Sequence, residues 1–287
     1  MSTLLKNLLE KGEFIVAPGV FEMFSAHIAD KMGFNALYMT GYGVSGSHLG
    51  LADAGLITYT DMVGRAKTIV DGTATPLIAD ADTGFGGLLN IRHTVRGYEA
   101  AGVQAIQIED QETPKKCGHT PNKRVISLEE MVQKIEVAVD SRRSDHTLII
   151  ARTDSRAGLG LDDAIRRAKA YAKAGADILF VEAPESEDEF RRIGGEVGGW
   201  LLANMAPTGK SPVLSRERLT ELGYSIAIYP AIGMNAVCAV LQVVYSHLKE
   251  RGTTDGLEVP SFTMSQMHEL VGFQDVWAFE RKYATTL

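Results

Sequence analysis

The sequence predicts an α/β chain folded as a closed (β/α)₈ barrel, and three observations carry that expectation. A helix that ends near a glycine, followed within a few residues by a short apolar strand, recurs along the chain. The strands are apolar on both faces, as buried parallel strands are. The 287 residues suit eight strand–helix units of roughly 30 residues each. Taken in order, the first strand covers residues 14–17, and a helix ending at 29–33 leads to the second at 36–39. The third covers 77–79, and a helix ending at 98–102 leads to the fourth at 105–108. The fifth covers 148–151, and a helix ending at 171–175 leads to the sixth at 178–181. The seventh covers 201–203, and a helix ending at 219–223 leads to the eighth at 226–229. Gly33, Gly102, Gly175 and Gly223 stand where a helix needs a left-handed cap. Alternating strands and helices argue for a parallel sheet, with an open doubly wound sheet as the alternative to closure.

No Pro/Gly/Ser-rich linker divides the chain, so residues 1–287 read as one barrel domain, with 252–287 a C-terminal helical extension. Trp277, Phe279 and Tyr283 make that extension apolar, suited either to its own barrel or to a partner subunit. The composition, 45% apolar and 23% charged, is that of a globular protein with a core large enough to need no staples. A net charge of −7 with scattered positive residues argues against a nucleic-acid partner. Two cysteines, Cys117 and Cys238, exclude a disulfide framework and suit a reducing cytosol. Cys238 lies in the apolar run 236–244 and reads as core. The amino terminus lacks the apolar core of a signal peptide, and no apolar run reaches the roughly 20 residues that span a bilayer. A soluble cytoplasmic protein without membrane partners is expected.

In a barrel, chemistry sits at the carboxyl ends of the strands. There the sequence places Thr40-Gly41-Tyr42-Gly43, Asp80-Ala81-Asp82-Thr83-Gly84, Glu109-Asp110, Arg152-Thr153-Asp154, Glu182 and Asn204. Asp80 and Asp82, two apart on a strand, share a face, and carboxylates held that close need a cation or a shared proton. Glu109 adds a third acid. Oxygen ligands without histidine or thiolate suit Mg²⁺ or Mn²⁺ and leave coordination positions for substrate oxygens. The other reading is that these acids cap helices or pair with Arg152. Arg152 presents a planar fork suited to a substrate carboxylate or phosphonate, or to an ion pair with Glu182 or Glu109. Pro114-Lys115-Lys116-Cys117-Gly118-His119 follows the fourth strand in a long polar loop running to about Lys123, and long barrel loops are often lids. Lys115, Lys116 and His119 around Cys117 favour its thiolate, which suits a general acid or base.

Two motifs mislead. Gly41-Tyr42-Gly43-Val44-Ser45-Gly46 matches a dinucleotide fingerprint, but the residues after it show no helical face. Gly209-Lys210-Ser211 lacks the first glycine of a phosphate loop. The remaining histidines show no metal-ligand spacing.

Seven blocks in order then carry a resemblance that spans nearly the whole chain. They are Tyr-Met-Thr-Gly-Tyr-Gly (38–43), Leu-Gly-Leu-Ala-Asp-Ala-Gly (49–55), Ala-Asp-Ala-Asp-Thr-Gly-Phe-Gly (79–86), Ile-Glu-Asp-Gln (108–111), Lys-Lys-Cys-Gly-His (115–119), Ala-Arg-Thr-Asp (151–154) and Val-Glu-Ala-Pro (181–184). Together they resemble the isocitrate lyase/phosphoenolpyruvate mutase superfamily. The resemblance implies a barrel whose last helix is exchanged between subunits, in homotetramers built as dimers of dimers. It implies Asp80 and Asp82 as magnesium ligands, with Asp53 and Glu109 holding metal-bound waters. Thr40, Gly41 and Tyr42 would meet the carboxylate of a small 2-oxo acid, and Arg152 would bind substrate oxygen. Asn204 and Glu182 would line the far side, and Cys117 and Gly118 would ride on a gating loop. The implied reaction is carbon–carbon cleavage of a 2-hydroxydicarboxylate, with Tyr38 as base and Cys117 as acid toward the carbanion. Asn235 stands where methylisocitrate lyases carry an arginine, and Pro207-Thr208-Gly209 replaces the usual Glu-Gly-Gly. The first departure disfavours a third carboxylate and the second leaves the recognition of the leaving acid open, while the pattern around Gly41-Tyr42 resembles that of lyases acting on substituted malates such as 2,3-dimethylmalate. Methylisocitrate cleavage, oxaloacetate hydrolysis or decarboxylation, and phosphonomutase chemistry are the alternatives.

Overall fold

The structure is a computed structural model that describes residues 4–118, 120 and 122–284. It divides into two compact units, Met1–Met234 and Asn235–Leu287. In the first, eight parallel strands close into a barrel in sequence order: β1 (Ile15–Val20), β2 (Leu37–Met39), β3 (Leu77–Asp80), β4 (Ala105–Glu109), β5 (Leu148–Thr153), β6 (Ile178–Val181), β7 (Trp200–Asn204) and β8 (Ile226–Tyr229). Closure is sealed by β1 pairing with β8, Ile15 opposite Ile226 and Pro18 opposite Tyr229. The doubly wound alternative is thereby excluded. Each strand lies within a few residues of its expected place, and β1 and β5 run further toward their carboxyl ends.

The helices are α1 (Leu5–Glu10), α2 (Met23–Lys31), α3 (Gly41–Val44), α4 (Tyr59–Gly72), α5 (Leu88–Ala100), α6 (Leu128–Ser141), α7 (Arg156–Leu159), α8 (Leu161–Lys173), α9 (Glu187–Val197), α10 (Arg216–Glu221), α11 (Ile232–Arg251), α12 (Met264–Leu270) and α13 (Phe273–Tyr283). Their starts follow from capping chemistry. Thr58 with Asp61 and Ser127 with Glu130 form reciprocal boxes at α4 and α6, and the Ser186 hydroxyl accepts the Glu189 N–H at α9. The four glycines expected after helices have φ from 76° to 98°, a conformation that costs other residues energy.

The period of two along each strand sorts the core. One set of side chains, including Leu37, Met39, Ile106, Ile108, Leu179 and Leu201, packs outward against Met62, Ile69, Ile91, Val95, Met131, Ile135 and Phe190 of the helices. The alternate set, including Ile15, Tyr38, Ile78, Ile150, Phe180, Leu202 and Ile226, fills the barrel interior. Leu5, Leu8 and Leu9 of α1 join that inner cluster and plug the amino-terminal end. The same alternation carried one pleat further sends Thr40, Asp80, Glu109, Arg152, Glu182 and Asn204 inward at the carboxyl-terminal mouth.

The second unit contains most of α11 with α12 and α13. No residue of α11 is buried, and Val237, Val240, Leu241, Val243 and Leu248 are exposed. The core placement expected for Cys238 is therefore wrong: the residue is exposed, because the apolar character of its segment serves an uncovered helix rather than the interior. Phe273, Trp277 and His268 stack on one another, with ring centroids 4.7 Å to 5.9 Å apart.

Candidate active site

Three strand ends gather the acids. Asp80, the last residue of β3, accepts the Asp82 N–H on Oδ1 at 3.0 Å and the Gly41 N–H on Oδ2 at 3.3 Å. Asp82 itself turns off the strand with φ +48°, a conformation that costs a non-glycine residue about 1 kcal/mol or more and tends to occur at functional sites. The Thr40 side chain caps the helix that opens at Gly41 by accepting the Gly43 N–H at 3.4 Å. A short helix thus does follow β2, contrary to the sequence reading. It runs only to Val44 before a π-helical turn, and its first N–H points at Asp80, not at a pyrophosphate. A Cβ on Gly41 would lie 2.8 Å from Asp80 Oδ2 and 3.4 Å from Asp82 Oδ1, so the backbone presses directly on both acids.

Glu109 on β4 lies opposite Arg152 on β5 in register. Arg152 donates to Asp154 from Nε at 2.9 Å and Nη2 at 3.1 Å. It also lies 3.3 Å from Glu109 Oε2 and 3.7 Å from Glu182 Oε2, with its guanidinium 5.1 Å from the Phe180 ring centre. The Asn204 amide donates to both Glu182 oxygens at 3.3 Å and 3.4 Å. The expected pairings of Arg152 with Glu109 and Glu182 are both present, but its tightest partner is Asp154. Arg152 and Asp154 are two apart, the same-face spacing used for Asp80 and Asp82, and that signal was available in the sequence.

Asp110, facing away from the mouth, fixes this strand end. It accepts from Asp154 N at 2.9 Å, Thr153 Oγ1 at 2.7 Å, Tyr171 Oη at 2.7 Å and Arg167 Nη1 at 3.2 Å. Such a fully satisfied buried carboxylate rigidifies its neighbours. Tyr38 sits one layer below the acids and donates its phenol to Gln107 Oε1 at 3.2 Å. Burial, then the Asp80 charge, pushes that phenol well above its ordinary pKa. The phenol thus holds its proton at rest, and a base role for Tyr38 requires its phenolate.

The β4–α6 loop closes over these groups. Its limbs are joined by a bridge between Gln111 and Val125, by Glu112 N donating to Arg124 O at 2.9 Å, and by the Gln111 side chain bonding both backbone groups of Lys116. Lys115 enters the acid cluster, pairing with Asp53 and lying 2.6 Å from Asp82 Oδ1. Cys117 N donates to Asp53 O at 3.2 Å, and the thiol residue is half-buried. A Cβ on Gly118 would lie 2.3 Å from Arg152 Nη2 and 2.8 Å from Glu182 Oε1. Cys117 thus stands between one residue anchored on the acids and another pressed on the arginine. His119 lies outside the described residues. Tyr42, expected at the substrate, is 47% exposed beside this mouth. The lysines at 115 and 116 were read only as neighbours of a thiol. That Lys115 reaches the acids depends on loop geometry, which spacing does not encode.

Among the described residues no three acid, histidine or cysteine side chains converge in a ready metal cage. The donor chemistry nonetheless fits a hard divalent cation. Asp82 Oδ2 and Glu109 Oε1 are buried oxygens without hydrogen-bond partners, which is costly unless something positive binds them. Burial, opposed by Lys115, pushes the Asp82 carboxyl up to about 7. Burial likewise pushes the Glu109 carboxyl well above its ordinary value, against the pull of Arg152. A cavity of about 310 Å³, lined by Ile57, Thr58, Tyr59, Thr83 and Phe85, opens beside Asp82 and Lys115.

A family profile described as Phosphoenolpyruvate phosphomutase matches residues 5–249. The chain belongs to the phosphoenolpyruvate mutase/isocitrate lyase superfamily. It is 45% identical over 281 residues to a 2,3-dimethylmalate lyase of Eubacterium barkeri, covering 98% of this chain and 97% of that one. It is 43% identical to a 2-methylisocitrate lyase of Aeropyrum pernix, covering 95% and 87%. The structure of an oxaloacetate acetylhydrolase with the inhibitor 3,3-difluorooxalacetate superposes with a TM-score of 0.93 at 32% identity, covering 99% and 97%. The chain is thus an enzyme of the superfamily's carbon–carbon lyase type, a superfamily that uses a divalent metal ion. Among the described residues, no helix is long and apolar enough to cross a membrane.

Proposed function

We propose that this enzyme is a Mg²⁺-dependent lyase that cleaves a small 2-hydroxydicarboxylate of the substituted-malate type, such as 2,3-dimethylmalate, to a 2-oxo acid and a carboxylic acid. The observation that carries the reading is the gathering of partnerless buried carboxylate oxygens and a guanidinium in one mouth beneath a thiol-bearing loop. Oxygens of Asp82 and Glu109 lack hydrogen-bond partners there, and Arg152 stands 3.3 Å from Glu109. Asp80 and Asp82 would hold Mg²⁺, or Mn²⁺, with Asp53 and Glu109 acting through water. Bound there, the ion would lower the pKa of the substrate's 2-hydroxyl. The short helix at Thr40, Gly41 and Tyr42 offers N–H groups to the carboxylate beside it. Arg152 takes the distal carboxylate, and Glu182 with Asn204 shapes the wall. Tyr38, once ionised, would take the proton of the 2-hydroxyl. When the C2–C3 bond breaks, its electron pair stays on C3 and takes a proton from Cys117, with His119 as its neighbour in the loop. Tyr38 gains the proton that leaves the 2-hydroxyl while Cys117 loses the one that C3 gains, and solvent returns each group to its starting state once the products leave. Gly118 lets the loop close to Arg152, which excludes water from the carbanion.

The neutral Asn235, in place of an arginine, supports a two-carboxylate substrate. The uncovered apolar face of α11 supports its exchange between subunits in a homotetramer built as a dimer of dimers, and the paucity of cysteines supports a reducing, cytoplasmic setting. The test is 2-oxo acid release, with and without Mg²⁺, from 2,3-dimethylmalate, methylisocitrate, oxaloacetate and phosphonopyruvate. The reading expects substituted malate to turn over fastest. Turnover of the phosphonate alone would reverse it.

A further inference from the structure

We propose that Lys123 is a positioning residue: its ammonium latches the β4–α6 loop shut on Asp154 and so frees part of the Arg152 charge for a substrate carboxylate. The inference rests on Arg152 being the anion-binding group of the proposed lyase. Lys123 comes from the far limb of the loop, yet its side chain is 2% exposed and that of Asp154 fully buried. Its Nζ donates to Asp154 Oδ1 at 2.5 Å and also to the carbonyl of Gly118, the residue pressed against Arg152. One ammonium therefore ties the far limb, the stretch beside Cys117 and the end of β5 together. The β5 side of the latch is rigid, because Asp110 holds Asp154 N from behind. The loop side is a single unit, because its limbs are bridged at Gln111 and Val125.

The electrostatic consequence follows from sharing. Asp154 Oδ1 accepts from both Lys123 and Arg152, and two cations on one carboxylate leave each less than fully compensated. Among the described residues of the mouth, Arg152, Lys115 and Lys123 face six carboxylates, and two of these three cations ride on the loop. With the loop withdrawn, Arg152 alone faces all six acids, a field that draws in a cation and repels a dianion. Closure brings two ammoniums into a water-poor space, which lowers the excess of negative charge around Arg152 and weakens the repulsion of an anion. Loop closure and anion binding are thereby coupled.

The experiment compares wild type, Lys123→Met, Lys123→Arg and Asp154→Asn. Trypsin cleavage of the loop after Lys116 or Arg124 is followed with Mg²⁺ and oxalate as the probe, alongside KM and kcat for the malate substrate. Breaking a buried pair at one partner should speed loop cleavage and raise KM at least about tenfold, with kcat changing less. Lys123→Arg should restore most of the protection, and the double variant Lys123→Met/Asp154→Asn should be no worse than the poorer single one. Should Lys123→Met not fold, Lys123→Gln takes its place. A variant with unchanged protection and KM but a lower Tm would overturn the latch and leave Lys123 a structural residue. If wild type shows no lyase activity while oxalate still protects the loop only when Lys123 is present, the lyase reading fails and the latch stands.

Discussion

Gly118→Ala tests loop closure with the smallest perturbation the structure offers. The added methyl would lie 2.3 Å from Arg152 Nη2 and 2.8 Å from Glu182 Oε1, well inside contact distance. Arg152 has little room to retreat, because two of its nitrogens are bound to Asp154 and its guanidinium lies over Phe180. Gly118 does not have the positive φ that would strain an alanine, so the effect is steric alone. The loop must therefore stand off. Forcing one methyl into a packed space costs about 1–3 kcal/mol, which lowers the closed population by roughly 5–150-fold. Because the loop and not the barrel moves, Tm should stay close to that of wild type while kcat/KM for 2-oxo acid release falls by that factor. The assay is steady-state turnover of the substituted malate with Mg²⁺, paired with thermal melting. Wild-type kcat/KM in the alanine variant would show that the loop does not close on Arg152 during turnover, and the arrangement of Cys117 derived from it would fail with it.

Gly41→Ala should weaken Mn²⁺ or Mg²⁺ binding by about tenfold, because its methyl would meet Asp80 Oδ2 at 2.8 Å; calorimetry giving the wild-type Kd would remove Gly41 from the metal-site wall. Cys117→Ser should abolish cleavage yet bind Mg²⁺ and pyruvate as wild type does, and full activity would take the thiol out of the reaction. Leu241→Asp, on the uncovered face of α11, should reduce the mass measured by light scattering; an unchanged tetramer would argue against exchange through that face. The Asp154 carboxyl is buried, but Arg152 and Lys123 outweigh the burial and hold it below the usual carboxylate range. A depressed folded pKa contributes stability that is present above the unfolded value of about 3.9 and is lost as pH falls through the folded one. Wild type should therefore lose more Tm than Asp154→Asn as pH falls from about 4 to about 2, and equal losses would contradict the charge pairing.

How much of this was legible follows from what a period of two encodes. Along a buried strand, alternate residues share a face, so once the eight strands were found, the inward position of Asp80, Glu109, Arg152, Glu182 and Asn204 came with them. The same rule applied to Arg152 and Asp154 would have found the tightest partner of Arg152. What the rule does not reach is anything carried by a loop. Lys115 and Lys123 are eight positions apart in sequence, yet each ends on a different carboxylate, one on Asp82 and one on Asp154 beside Arg152. No periodicity predicts that, because the path between them is set by the pinning of Gln111 to Lys116 and Val125. Cys238 failed for a related reason: an apolar run reports that a surface is to be covered, not which chain covers it. Lys115, read with Lys116 and His119 as a neighbour that favours the Cys117 thiolate, is instead claimed by Asp53 and Asp82, so the spacing of charges along a loop does not report which of them stands by the thiol.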